Sequence, residues 1–239
     1  MDEPYGLGEA GIDVVLLDIE GTTTPISFVH QRLFPYARAR AAEFLQQHAS
    51  DTEIQQVVSN LRGLQQAPGS DAPAGDIVSF VHVLIDNDRK LGPLKALQGR
   101  IWEQGYAIGE LQGEVYADVL PAFERWTRAD IRVATFSSGS VLAQRLLFSN
   151  STAGDLSPYI SKFFDTSVGA KGDTASYRRI LETLDLRAPA HALFVSDVVR
   201  ELDAARDAGL RTLLCVRPAS SAPDANGHSI IESFDVLLP

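Results

Sequence analysis

Apolar residues follow two rhythms along this chain. Val14-Val15-Leu16-Leu17 is an unbroken apolar run that stops at Asp18. A run that is polar only at its end predicts a strand buried on both faces of a parallel sheet. From about residue 28 to 112 the rhythm becomes helical. Leu33, Ala37, Ala41, Phe44 and Leu45 form one stripe, and Ile54, Val57, Val58, Leu61 and Leu64 a second. Ile77, Phe80, Val81, Leu84 and Ile85 make a third. The fourth, Leu94, Leu97 and Ile101, follows Pro93, whose missing N–H is harmless in a first helical turn. Two prolines and two glycines between Gln65 and Gly75 predict a loop, and residues 1–11 read as a short lead. Four amphipathic helices with no strand between them predict a small bundle.

Beyond residue 113 strands and helices alternate. A helix around Pro121–Arg128 precedes the apolar run Ile131–Phe136, which halts at Ser137-Ser138-Gly139-Ser140. Leu142, Leu146 and Leu147 mark the next helix, Phe163-Phe164 a weak strand, and Tyr177, Ile180, Leu181 and Leu184 another helix. Leu193-Phe194-Val195 predicts a strand ending at Ser196-Asp197, and Glu201–Ala208 a helix stopped by Gly209. Thr212–Val216 predicts the last strand, ended by Arg217-Pro218. The alternation points to an α/β fold, a Rossmann-like parallel sheet interrupted by a helical insertion. The boundaries expected are 1–24 with 113–239 for the core, and 25–112 for the insertion.

Composition narrows the function. The 239 residues hold 21 Lys and Arg against 31 Asp and Glu, a formal net charge of −10. Such a surface repels phosphate backbones and anionic lipid, so nucleic acid and membranes are not expected partners. No apolar run approaches the roughly 20 residues of a membrane helix. The start of the chain lacks an apolar secretory segment, and a lone cysteine, Cys215, cannot form an internal disulfide. Together these features predict a cytoplasmic protein.

In open parallel sheets ligands bind beyond the carboxyl ends of the strands. The polar residues there are Asp18 and Glu20, Ser137 and Ser138, and Asp197. Two carboxylates two residues apart project alike if strand geometry persists, and close carboxylates repel unless a cation lies between them. Hard oxygen donors suit Mg²⁺. Hydroxyls and amides beside Gly139, at a helix start, can cradle a phosphate. Lys171 lies between Gly169 and the helix start at Asp173-Thr174. A loop lysine is usually a solvated charge, but flanking glycines allow this one to reach inward. Asp197 and Glu201 stand one helical turn apart, whereas Asp203 points elsewhere on the helical pattern. The five histidines lack the spacing of zinc ligands, so zinc is not expected. Trp102, Trp126 and Cys215 read as packing residues.

The sequence from Asp18 to Ile26, Asp-Ile-Glu-Gly-Thr-Thr-Thr-Pro-Ile, resembles the signature of the enolase-phosphatases of methionine salvage. These belong to the haloacid dehalogenase superfamily of aspartate-nucleophile phosphatases. Phe34-Pro35-Tyr36, Tyr116-Ala117-Asp118-Val119, Phe136-Ser137-Ser138-Gly139-Ser140-Val141, Phe164-Asp165-Thr166 and Asp197-Val198-Val199-Arg200-Glu201 extend the likeness. Most of the superfamily has Asp where Glu20 stands; Glu there fits the narrower family. The resemblance implies that Asp18 is the nucleophile and that Glu20 is the general acid and base. It also implies that Ser137, Ser138 and Lys171 bind the phosphoryl group, and that Asp18, Glu20 and Asp197 hold one Mg²⁺ per chain. Glu201 would stand behind these ligands, and the inserted helices would be the cap. The implied protein is a monomer acting on a small phosphorylated metabolite. Its substrate would be 2,3-diketo-5-methylthiopentyl 1-phosphate, enolised and then dephosphorylated.

Three other readings compete. A phosphatase for another small metabolite would share all four motifs. A receiver module also gathers acids, a hydroxyl and a lysine, but has no room for helices between Asp18 and Ser137. A phosphate-sensing protein needs no nucleophile, so turnover of p-nitrophenyl phosphate would exclude it.

Overall fold

A computed structural model describes residues 11–67, 75–218 and 224–237. All but Gly11 of the expected lead over 1–11, and most of the expected 65–75 loop, lie outside the described residues. The chain divides into two compact units: one runs to Ile26 and resumes at Gly113, and the other spans Ser27–Gln112.

The first unit opens with β1, Val14–Leu17, whose four residues are all buried. The chain then passes through a short helical turn, α1 (Ile26–Phe28), and a π-helical turn over Val29–Leu33. The second unit holds α2 (Phe34–Gln47), α3 (Thr52–Gln65), α4 (Ile77–Asp86) and α5 (Gly92–Ala107). Asp51 caps α3 by accepting from the Glu53 and Ile54 amides, and Asp76 caps α4 through those of Val78 and Ser79. Both caps satisfy amides that a helix start leaves without partners. Ala37, Ala41, Phe44, Ile54, Val57, Leu61, Phe80, Val81, Leu94, Leu97 and Ile101 are buried as the stripes predict. Leu64 is not: it sits in the last turn of α3 and stays exposed. Gly105 admits the Tyr36 ring, which a Cβ there would meet at 2.7 Å. Trp102 is buried and donates its indole N–H to the Leu33 carbonyl at 2.9 Å.

The first unit resumes with α6 (Val119–Arg128), β2 (Arg132–Phe136), α7 (Val141–Ser149) and β3 (Ile160–Phe164). α8 (Thr174–Leu184), β4 (Ala192–Ser196), α9 (Val199–Asp207), β5 (Arg211–Cys215) and β6 (Ser229–Ile231) complete it. The sheet is parallel throughout, in the order β3-β2-β1-β4-β5-β6. Val14, Leu16, Phe136, Tyr177, Ile180, Phe194, Leu202 and Leu214 share one buried cluster. Trp126 is fully buried beside Phe123 and Phe234. The edge strand β6 escapes sequence reading because Ser229–Ile231 is too short for an apolar run.

The register decides where chemistry can occur. Leu17 faces Thr135 on β2 and Val195 on β4, so Asp18, Ser137 and Asp197 leave the same sheet edge from adjacent strands. Cys215 is fully buried in β5, and burial pushes its thiol pKa up to about 12. At pH 8 it is therefore neutral and unreactive. Ellman's reagent should label native protein no faster than it unfolds, and guanidinium-unfolded protein within minutes; rapid native labelling would contradict the burial.

Candidate active site

Asp18 prolongs the sheet by one bond, its amide donating to the Val195 carbonyl at 2.9 Å. The chain then turns. The amides of Thr22, Thr23 and Thr24 converge on the Ile19 carbonyl at 3.2, 3.0 and 2.9 Å. Gly21 makes this possible with φ +77°, a conformation that disfavours side chains. A Cβ at Gly21 would also overlap the Asp197 carboxylate. Glu20 enters this turn directly after Ile19, its backbone bridging to Thr24.

Lys171 is no surface lysine. Its side chain is only 10% exposed, and its Nζ lies 2.6 Å from Asp18 Oδ1 and 2.5 Å from Glu201 Oε2. The backbone is held from α8: Tyr177 donates its hydroxyl to the Lys171 carbonyl and Ser176 to that of Ala170. Burial alone would lower the lysine pKa, but the Asp18 and Glu201 carboxylates outweigh it and raise the value. Asp18 Oδ1 also accepts from the Ile19 amide at 2.7 Å, and Oδ2 from the Ser196 hydroxyl at 3.1 Å. Ser196 stands 3.2 Å from Glu201 as well, so its hydroxyl bridges the two acids. Asp203 lies apart, bound to Arg206, Asn226 and His228.

Ser137 is buried just beyond β2, and its hydroxyl accepts from the Gly139 amide at 3.0 Å. The helix start lies further on: Ser140 caps α7 through Ala143, and Asp165 accepts from the Val141 amide. Ser137 and Ser138 therefore belong to the turn between β2 and α7, not to the helix terminus. The Ser137 amide is already bonded to the Phe164 carbonyl at 3.1 Å, so a cradle there draws on the serine hydroxyls.

The acids carry a charge imbalance. Asp197 has its pKa pushed up to about 7 by burial, by Asp18 and, more weakly, by Glu20, against the lowering effect of Lys171. Burial and Asp18 likewise raise Glu201. Asp197 Oδ1 is buried without a hydrogen-bond partner, and an orphaned acceptor of this kind calls for a cation or water. Oxygen donors in excess of positive charge fit Mg²⁺. Among the described residues no three Asp, Glu, His or Cys side chains already form a ligand cluster. A hard cation here would keep several waters, as Mg²⁺ does.

The profile of the haloacid dehalogenase-like hydrolases matches residues 12–209. A Synechococcus elongatus protein named enolase-phosphatase E1 is 50% identical over 235 residues, 95% of this chain and 98% of that one. The Drosophila mojavensis protein of that name is 48% identical, covering 97% of each chain. This chain belongs to the enolase-phosphatase family of haloacid dehalogenase-like hydrolases. The solved UTR4 protein of Saccharomyces cerevisiae is similar, with 35% identity and a TM-score of 0.77 over 95% of this chain and all of that one. CbbY from Rhodobacter sphaeroides, 19% identical with a TM-score of 0.59 over 93% and 95% of the two chains, shares the fold.

Two supports of the enolase-phosphatase site escape motif reading. Gln144 is buried on α7, where it accepts from Thr135 and donates to the Gly139 and Phe164 carbonyls at 2.9 and 2.8 Å. It ties β2, β3 and the Ser137 turn together. Arg217 reads from sequence as a strand terminator, yet its side chain is 3% exposed. Its Nη1 donates to Asp118 Oδ2 at 2.6 Å, and its Nε and Nη2 to the Thr22 carbonyl at 2.8 and 2.6 Å. The guanidinium lies 4.2 Å from the Tyr116 ring centre and 4.5 Å from that of Phe234. Removing one partner of a buried ion pair costs about 3–5 kcal/mol, because the other charge stays buried. The only sequence signal was Asp118, inside Tyr116-Ala117-Asp118-Val119.

Proposed function

We propose that this chain is the enolase-phosphatase of methionine salvage. It enolises 2,3-diketo-5-methylthiopentyl 1-phosphate and removes the phosphate through an Asp18 phospho-enzyme. The contact of Lys171 Nζ with Asp18 Oδ1 carries this reading. A carboxylate cannot approach an anionic phosphate unscreened, and a buried ammonium held against it supplies the screening. In the transfer step an Asp18 oxygen attacks phosphorus while the bond from phosphorus to the enol oxygen breaks. Oδ2 is the less encumbered oxygen, with the Ser196 hydroxyl against it. Glu20 protonates the leaving oxygen, then takes a proton from the water that cleaves the acyl phosphate. Ser137 and Ser138 hold the phosphoryl oxygens through their hydroxyls, the Ser137 amide being engaged by the Phe164 carbonyl. Glu201 keeps Lys171 in place from the side away from substrate.

Mg²⁺ would be held by Asp18, Glu20 and Asp197, one ion per chain, and when bound supplies positive charge beside the substrate oxygens. The orphaned Asp197 Oδ1 supports that set. On this reading residues 25–112 serve as the cap, and 1–24 with 113–239 as the catalytic core. Phosphate release from the diketo phosphate tests the proposal. EDTA should reduce it to background, added Mg²⁺ should restore it, and Ca²⁺, with its looser coordination, should inhibit. Full turnover after exhaustive chelation would remove the metal from the reading.

A further inference from the structure

Thr22 and Thr23 have consecutive carbonyls in the turn that carries Glu20, and both are fastened by distant residues. The Thr23 carbonyl accepts from the Tyr116 amide at 3.0 Å. The Thr22 carbonyl accepts two N–H groups of one guanidinium, from Nε and Nη2 of Arg217. A planar fork on a single oxygen fixes the direction of that carbonyl as well as its position. The guanidinium is itself fixed. Asp118 Oδ2 holds Nη1 and also accepts from the Phe234 amide at 2.6 Å and the Ser233 hydroxyl at 3.1 Å. Tyr116 and Phe234 lie against its faces. Arg217 thus joins three distant stretches of chain: the Gly21–Thr24 turn, the Tyr116–Asp118 segment and the C-terminal Ser233–Phe234 segment.

We propose that Arg217 is a positioning residue for the reaction, its fork on the Thr22 carbonyl holding the turn that aims Glu20 and keeps Gly21 against Asp197. This rests on the roles proposed for Asp18 and Glu20. Lysine cannot replace the arginine here. Its ammonium can pair with Asp118, but it has no second planar N–H with which to fix the carbonyl. Asn at position 118 does the reverse: it removes the charge partner and leaves the fork in place. Charge balance and carbonyl orientation can therefore be separated.

The test compares Arg217→Lys and Asp118→Asn in the full chain, each by thermal melting and by steady-state kinetics on the diketo phosphate. Arg217→Lys should lower kcat about 10–100-fold with KM within about three-fold, because orientation of reacting groups is lost and binding is not. Asp118→Asn should lower the melting temperature but leave kcat per folded molecule within about three-fold. Equal kcat losses in the two variants, or unchanged kcat in folded Arg217→Lys, would overturn the proposal. If Arg217→Lys does not fold, hydrogen exchange of the unaltered protein decides. The Thr23 and Thr24 amides should exchange as slowly as those of β1, and loop-like rapid exchange would overturn the fastening. Failure of the catalytic reading itself is distinguishable: it would show as phosphate release surviving in Asp18→Asn.

Discussion

Asp18→Asn should lower phosphate release by about four orders of magnitude or more, the scale of losing a covalent nucleophile. The substitution is close to isosteric. An amide oxygen can still accept from the Ile19 amide and from Lys171, which lie 2.7 and 2.6 Å from Oδ1. It cannot attack phosphorus as a carboxylate does. The change also removes one negative charge from beside Asp197 and Glu201, so both should ionise at lower pH than in the unaltered protein. Enolisation needs only a base for the C1 proton and positive charge near the carbonyl oxygen. The enol phosphate should therefore accumulate and appear as a new conjugated absorbance while phosphate stays bound. Phosphate release at the unaltered rate would remove Asp18 as nucleophile. A variant that binds Mg²⁺ but forms no enol would assign Asp18 to both steps. Asp203→Asn is the matched control, since Asp203 is bound to Arg206, Asn226 and His228 and should affect kcat by less than two-fold.

The legible part of this molecule is the part whose signal is local. Val14–Leu17 announces a central strand because every position is apolar, and the residues at strand ends follow from parallel topology. The helical stripes of the insertion are equally plain, except at Leu64, where the last turn of α3 leaves an apolar side chain in solvent. Glu20 shows where such reading stops. It lies beyond the last residue of β1, in a turn where three amides fold back on the Ile19 carbonyl. No periodicity encodes that event; Gly21 only permits it.

Arg217 and Gln144 mark a second limit. Each is buried because its polar atoms meet carbonyls and side chains of other elements: Thr22 and Asp118 for the arginine, Phe164 and Thr135 for the glutamine. Their sequence neighbours read as a strand end and an ordinary helix. Only the assembled sheet edge shows that both residues brace the loops bearing Asp18, Glu20 and Ser137. Sequence pattern therefore finds groups that touch substrate more readily than groups that hold them still.

Lys171→Met separates charge from shape at the centre of the site. Methionine has similar length and fills the same buried space, but Asp18 and Glu201 lose the ammonium now 2.6 and 2.5 Å away. Turnover should fall on the order of 100-fold or more, as when a preorganised electrostatic donor is lost. A loss of only a few-fold would show that the lysine does not screen the nucleophile. Stability should change in a pH-dependent way that an uncharged packing role cannot produce. Asp197, with a folded pKa near 7 against an ordinary 3.8, binds more protons folded than unfolded. Its contribution is therefore most favourable at low pH and is lost as pH rises from about 4 through 7. Glu201 is raised too and behaves in the same direction. Lys171 opposes both shifts, so its removal should raise both values further and carry the loss to higher pH. In metal-free buffer the melting-temperature deficit of Lys171→Met should accordingly be larger at pH 8 than at pH 5.5. A deficit that stays constant with pH would mean that the lysine stem supports the fold by packing and that its charge does not neutralise the acids around Asp18.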